Sequence, residues 1–258
     1  MLVNTSAPPA YEEKHPSAYQ GRDPSSIGPS KEKELAPSTT SSAISLSSQP
    51  NPPLGGRTLT FHHASFPWRS VNITHPSTAQ PAYYAEISEA TRGKPDILLR
   101  SQDSNGAGVG RAHFRLSRSM RMGLGRDELD EKMQWVEFKT SSLFSKGAFD
   151  FGYGGRSYRL TRTHAKEHGV EGAMQKMNLG HFKVVDVEAA ARGEGDGVVA
   201  VYVSETYHPG WMKGTLTLGE SVDAGLEVLV VLGVVGWREK MRRRAAYSGS
   251  GGNAGGGG

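Results

Sequence analysis

The chain predicts a mainly β fold, an antiparallel β-barrel of about 11–12 strands enclosing a C-terminal hydrophobic α-helix. Three observations lead there. Residues 226–237 read L-E-V-L-V-V-L-G-V-V-G-W, with Glu227 as the one polar residue. Before them run short segments of alternating polarity, separated by turn residues. After them stands R-E-K-M-R-R-R, five bases against one acid. A segment this apolar must be hidden from water, either in a bilayer or inside a fold. A spanning helix needs about 20 apolar residues. Counting back to Ala224 gives fourteen positions, a length that suits a buried core helix. A helix apolar on every side has no solvent face, so something must surround it.

Residues 1–56 differ in kind from the rest. They are rich in Ser, Pro, Thr, Lys and Glu, and residues 38–48 read S-T-T-S-S-A-I-S-L-S-S. Large apolar side chains are few, so burial cannot offset the entropy of ordering, and the arm is expected to be disordered. Within it, Pro8, Pro9 and Tyr11 form a PPxY match. WW domains bind such peptides because the prolines pre-form a polyproline II helix and the tyrosine fills a neighbouring pocket. The expected partner is a WW-domain protein, such as a HECT-type ubiquitin ligase or its adaptor.

The barrel is expected over residues 57–245. Candidate strands lie at 58–61, 70–74, 82–87, 96–100, 112–116, 134–140, 149–153, 157–163, 182–187, 198–204 and 215–218. Val136 and Phe138 share a face opposite Glu137 and Lys139, and Tyr158 and Leu160 share one opposite the arginines. Such alternation argues half-buried antiparallel strands with one wet face. Gly152, Gly154 and Gly155 supply a hairpin turn before residue 157. Asn105 to Gly110 is glycine-rich without G-x-G-x-x-G spacing, and reads as a flexible hairpin loop.

The helix is expected near residues 221–244. Ser221 would be the N-cap and Asp223 would sit in the first turn, where the dipole favours an anion. Arg238, Lys240 and Arg242 to Arg244 would sit where it favours cations. Five valines and three glycines lower the helix propensity, so a buried central strand is the competing reading. Burying about ten of these side chains at about 1.5–3 kcal/mol each contributes on the order of 15–30 kcal/mol gross. Residues 246–258 read as a flexible Gly/Ser tail.

Composition excludes some chemistry. The chain has no cysteine, hence no disulfide, thiolate catalysis or cysteine-ligated metal. The net charge of +4 is mild, where a nucleic-acid binder carries a stronger clustered footprint. The N-terminus has neither a basic n-region nor an apolar h-region, so a cytoplasmic chain, peripheral at membranes or nuclear, is expected over a secreted one. The sequons at Asn4 and Asn72 are then chance matches.

His164, Glu167 and His168 match H-x-x-E-H, the inverted zinc-peptidase pattern. That chemistry needs two histidines one helical turn apart, a glutamate base and a third ligand. Here a strand ends just before the motif and Gly169 and Gly172 follow, so an exposed loop is the plainer reading. His62 and His63 would point to opposite faces of a strand. No Ser-His-Asp set can be assembled by spacing, and no cofactor is expected. Arg111, Arg115, Arg118 and Arg121, within R-A-H-F-R-L-S-R-S-M-R, and Arg242, Arg243 and Arg244 are the candidate contacts for anionic lipid headgroups. The plainer reading is a solvated basic face.

The strand series, G-T-L-T-L-G-E-S-V-D-A-G-L-E-V-L-V-V-L at 214–232 and the R-E-K-M-R-R-R exit together resemble the tubby C-terminal-like superfamily. That group includes LURP-one-related proteins and phospholipid scramblases. The chain is also similar to uncharacterised fungal proteins with a Pro-rich arm before such a barrel. The resemblance implies a terminal helix threading the barrel and phosphoinositide recognition by surface basic residues. It departs from scramblases, which carry a cysteine cluster and an acidic calcium-binding segment. The expectation is a non-enzymatic binding or adaptor protein at an anionic membrane surface. A metal-dependent hydrolase and a tail-anchored membrane protein are the alternatives.

Overall fold

The structure is a computed structural model that describes residues 54–64, 69–89, 93–115, 119–125, 132–141, 147–170, 180–206 and 212–249. Pro8, Pro9, Tyr11 and Arg118 lie outside these residues. Twelve strands form one closed barrel. They are β1 (Thr58–His63), β2 (Ser70–Thr74), β3 (Pro81–Ile87), β4 (Ile97–Ser101), β5 (Gly108–Phe114) and β6 (Met120–Leu124). They continue with β7 (Gln134–Thr140), β8 (Ala148–Tyr153), β9 (Arg156–Arg162), β10 (Phe182–Asp186), β11 (Val198–Ser204) and β12 (Gly214–Leu218). Each strand pairs antiparallel with its sequence neighbours, and β1 closes the ring on β12 from Thr58↔Thr217 to Phe61↔Gly214. Closure removes the open edges that a sheet would otherwise expose.

Alternation places the inner face. Phe61, Ile73, Leu99, Met122, Phe138 and Tyr202 are fully buried, and Tyr158 and Leu160 point inward while Arg156 and Arg159 are exposed. Phe138, Phe151 and Tyr158 stack in sequence at 4.1 and 5.5 Å between centroids. The turn between β8 and β9 is Gly154-Gly155, at φ 58° and 76°, the positive-φ pair that a tight hairpin demands. The glycine-rich stretch at 105–110 is only partly a loop, because Gly108 and Gly110 belong to β5.

Residues 224–249 form a helix, not a strand. The five-residue α1 (Val187–Ala191) precedes it on the outside, and α2 (Ala224–Gly249) spans 26 residues. From Leu226 to Glu239 every residue is buried. Its sides meet strands from β5 round to β10. Gly233 faces Leu160 and Phe138, Gly236 faces Met120 and Phe114, and Trp237 lies 5.1 Å from Phe149 and 4.3 Å from Phe182 between ring centroids. A Cβ on Gly233 would come within 3.1 Å of Leu160 Cδ2 and 3.3 Å of Phe138. Glycine there lets backbone and barrel wall approach without displacing either side chain. Among the described residues, no helix is long and apolar enough to cross a membrane.

The helix N-cap is Asp223 rather than Ser221. Asp223 Oδ1 accepts from the Leu226 amide at 2.8 Å, and from the Tyr153 hydroxyl at 3.1 Å. A carboxylate is stronger here than a serine hydroxyl, since it also meets the positive end of the dipole. Glu227, the odd polar residue in the apolar run, is held where the helix enters the barrel. Its carboxylate accepts from the Tyr83 hydroxyl at 2.8 Å and pairs with Arg57 at 2.7 Å. Burial, then Glu227, raises the Tyr83 pKa.

Candidate functional site

The basic residues singled out in the sequence fall into two groups. Arg111, His113 and Arg115 point outward from the β5 side, because Gly110 and Ala112 are the buried, inward positions. On β6, Met120 and Met122 point inward and Arg121 outward. Arg121 pairs across the ladder with His113 on one side and Glu137 on the other. Its guanidinium lies 4.2 Å from the Trp135 ring centroid, a cation–π contact. Trp135 lies against Gly123, where a Cβ would come within 2.9 Å of the ring. Arg115 reaches Glu137 at 3.5 Å. The outer face of β5–β7 is thus basic with one aromatic plate.

The second group is the helix exit, where the structure divides the arginines. Arg242 and Arg243 are half-buried and ion-paired. Arg242 forks onto Glu239 at 2.7 and 2.9 Å and reaches Glu89 at 3.6 Å. Arg243 binds Glu239 at 2.7 Å, Asp96 at 2.7 Å and the Ser88 carbonyl at 2.7 Å. These ion pairs clamp the helix onto the β3–β4 connection. Arg244 is exposed. Arg238 is buried and donates to Thr206 Oγ1 at 3.1 Å.

The two groups meet at one mouth of the barrel. Lys240 Nζ donates to the Ser119 carbonyl at 2.9 Å, in the connection between β5 and β6. The Phe114 ring takes Lys240 at 5.6 Å and Arg243 at 4.8 Å. Burial, then Arg244, pushes Lys240 down to about 8, with Asp96 opposing. Burial and Arg244 also lower Arg162, the last residue of β9. Sequence reasoning missed Arg162, Trp135 and the pairing role of Asp96. Lys240 was legible only as one of the cations at the C-terminal end of the helix.

Lys240 carries a pH signature. Its folded pKa is below the ordinary 10.5. The unfolded chain therefore binds more protons between about pH 8 and 10.5, and stability rises with pH across that window. Below it the penalty is constant. Urea unfolding from pH 7 to 10 should show the wild type gaining stability relative to Lys240→Met as pH rises. A constant difference would remove the lowered pKa.

His164, Glu167 and His168 do not converge on a metal site. They occupy a single 3-10 turn (Lys166–His168) and its approach, with His164 and Glu167 exposed. His168 is not exposed, as the loop reading had it. It is buried and bonds Thr163 Oγ1 through Nδ1 at 2.6 Å, with Nε2 3.8 Å from Asp196. Among the described residues, no group of three His, Asp or Glu could hold a metal. His62 is exposed, and His63 accepts from the Met212 amide. Next to the basic face, an open groove of about 370 Å³ runs over β7 to β9. Its lining charges are matched, with Asp150 and Arg159 paired at 2.6 Å.

No family model matches the chain, and no curated protein matches it. Among solved structures it is similar to an Arabidopsis thaliana protein determined by X-ray crystallography. The two are 14% identical, the match covers 69% of this chain and 88% of that chain, and the TM-score is 0.41.

Proposed function

We propose that this chain is a tubby-like, non-enzymatic binding protein that meets anionic lipid headgroups through the mouth where α2 leaves the barrel and through the adjoining β5–β6 face. One observation carries the reading. Two basic segments far apart in sequence are tied together at that mouth by Lys240 and the Ser119 carbonyl. Arg111, Arg115 and Arg121 stand on the outer face beside that mouth, with Trp135 as an amphipathic plate under Arg121, and Arg244 is exposed at the helix exit. Trp suits the boundary between water and hydrocarbon. The closed barrel and the apolar helix inside it support the tubby-like assignment. The PPxY match at Pro8, Pro9 and Tyr11 adds a WW-domain partner, and the working place is the cytoplasmic surface of a membrane.

Liposome flotation tests the lipid half. Each basic residue near an anionic surface contributes about 1 kcal/mol. The Arg111→Glu, Arg121→Glu double variant should float at least about tenfold less well on phosphoinositide vesicles, and binding should fall with salt. Equal flotation on neutral and anionic vesicles at low salt would end this reading. For the partner half, a WW-domain pull-down should recover wild type and lose Tyr11→Ala. Equal recovery of the two would discard the motif.

A further inference from the structure

Asn105 and Gly106 stand in the connection between β4 and β5, and the fold dictates their surroundings. A Cβ at Gly106 would run into the Ser101 carbonyl, so only glycine fits there. Asn105 before it is exposed. Of the chain's asparagines it is the one followed by glycine. That pair is chemically labile, because no Cβ hinders attack by the Gly106 backbone nitrogen on the Asn105 side-chain carbonyl carbon. The turn withholds that nitrogen. The Gly106 amide donates to the Asp103 carbonyl at 3.1 Å, and the Asn105 amide donates to Asp103 Oδ1 at 2.8 Å. The Gly106 carbonyl accepts from Arg100 at 3.3 Å, and the Ala107 carbonyl accepts from the Ser101 amide at 2.8 Å. Asp first and Gly fourth, with neither Ser104 nor Asn105 at positive φ, is the pattern of a type I turn. Its third residue holds ψ at about 0°, which eclipses the Gly106 nitrogen with the Asn105 nitrogen. Closure of a five-membered ring needs the Gly106 nitrogen eclipsed with Cβ instead.

We propose that Asn105 is a deamidation site gated by this turn, converting to aspartate and isoaspartate when the turn opens. Solvent base takes the Gly106 amide proton, and the nitrogen lone pair forms the bond to Asn105 Cγ. The Cγ–Nδ2 bond breaks, and ammonia leaves with a proton. The resulting succinimide takes up water. Cleavage at Cγ gives aspartate, and cleavage at the main-chain carbonyl gives isoaspartate. The balance is an amide plus water to an acid plus ammonia, with no change of oxidation state. Isoaspartate lengthens the main chain by a carbon, just where Gly106 has no room against Ser101. Ser101 pairs with Tyr83, whose hydroxyl holds Glu227 where the helix enters the barrel. The modification thus loosens the strand pair that anchors the helix entrance.

The test ages the full chain in mildly alkaline buffer, either folded or in guanidinium chloride. Mass spectrometry follows the peptide that contains Asn105, with aspartate and isoaspartate forms separated by chromatography. Conversion in the folded chain should be at least about tenfold slower than in the unfolded chain, since several hydrogen bonds must break first. Asp103→Ala removes the Oδ1 acceptor and should speed the folded rate by about threefold or more. Asp103→Asn keeps an acceptor oxygen and should stay near wild type. Arg100→Met, which removes the tie to the Gly106 carbonyl, is read as Asp103→Ala is, and circular dichroism confirms that each variant is folded. A folded rate equal to or above the unfolded rate overturns the gate. So do wild-type rates in both folded Asp103→Ala and folded Arg100→Met. An Asn105 that stays unconverted in the unfolded chain overturns the site itself.

Discussion

A chain stopped after Ser221 yields no cooperative unfolding transition. The missing helix fills the barrel, and Leu229, Val231, Leu232 and Val235 are fully buried within it. Without them the inner faces of twelve strands would line an empty tube. The gross burial of this element, on the order of 15–30 kcal/mol, exceeds the typical net stability of about 5–15 kcal/mol. Closer packing of the wall cannot recover it, because the ring of twelve paired strands fixes the circumference. Thermal melts by circular dichroism, with size-exclusion chromatography, check this. A soluble truncated chain with a sharp melt would mean that the barrel stands by its own walls.

The second large effect is expected at Trp237. Its indole sits between Phe149 and Phe182 and is 4% exposed. Trp237→Ala removes an edge contact and a tilted stack and leaves a cavity between Phe149 and Phe182. A loss of about 3–5 kcal/mol follows. For a domain of this size each kcal/mol lowers the unfolding temperature by about 2–4 °C, so a drop of roughly 6–20 °C is expected. Tyr247, on the same helix but 80% exposed, provides the contrast. Its replacement by Ala should change stability by no more than about 0.5 kcal/mol. A comparable loss at both positions would show that the exit of the helix, and not its buried indole, sets the stability.

Period-two alternation made most of the strands legible, since a wet face and a core face leave opposite marks on the same segment. β6 escaped because M-R-M-G-L carries no β-branched residue and one glycine, and its arginine drew the eye as a charge cluster. The helix survived five valines and three glycines because packing on all sides outweighs propensity. Its cap shifted from Ser221 to Asp223 because two candidates stood two residues apart and only geometry chooses between them. The fate of Arg242 and Arg243 was half visible. Glu239 stands three and four residues before them, a helical neighbour on sequence grounds. Asp96 and Ser88, 147 and 155 residues away from Arg243, have no local signal.

The order of the elements, with α2 after all twelve strands, constrains how the molecule is made. The closing pair joins Thr58 to Thr217, so during synthesis the ring stays a curled ribbon until residue 217 has emerged. The helix follows, tipped with arginines. Drawing that charged tip through a finished apolar bore would strip the guanidinium groups of water midway, at a cost far above any thermal fluctuation. The wall must therefore wrap around the rod, and the seam between β1 and β12 must shut last. A nascent chain whose α2 has yet to emerge shows solvent a greasy inner lining and two bare rims, and is the form of this protein that chaperones would have to shield.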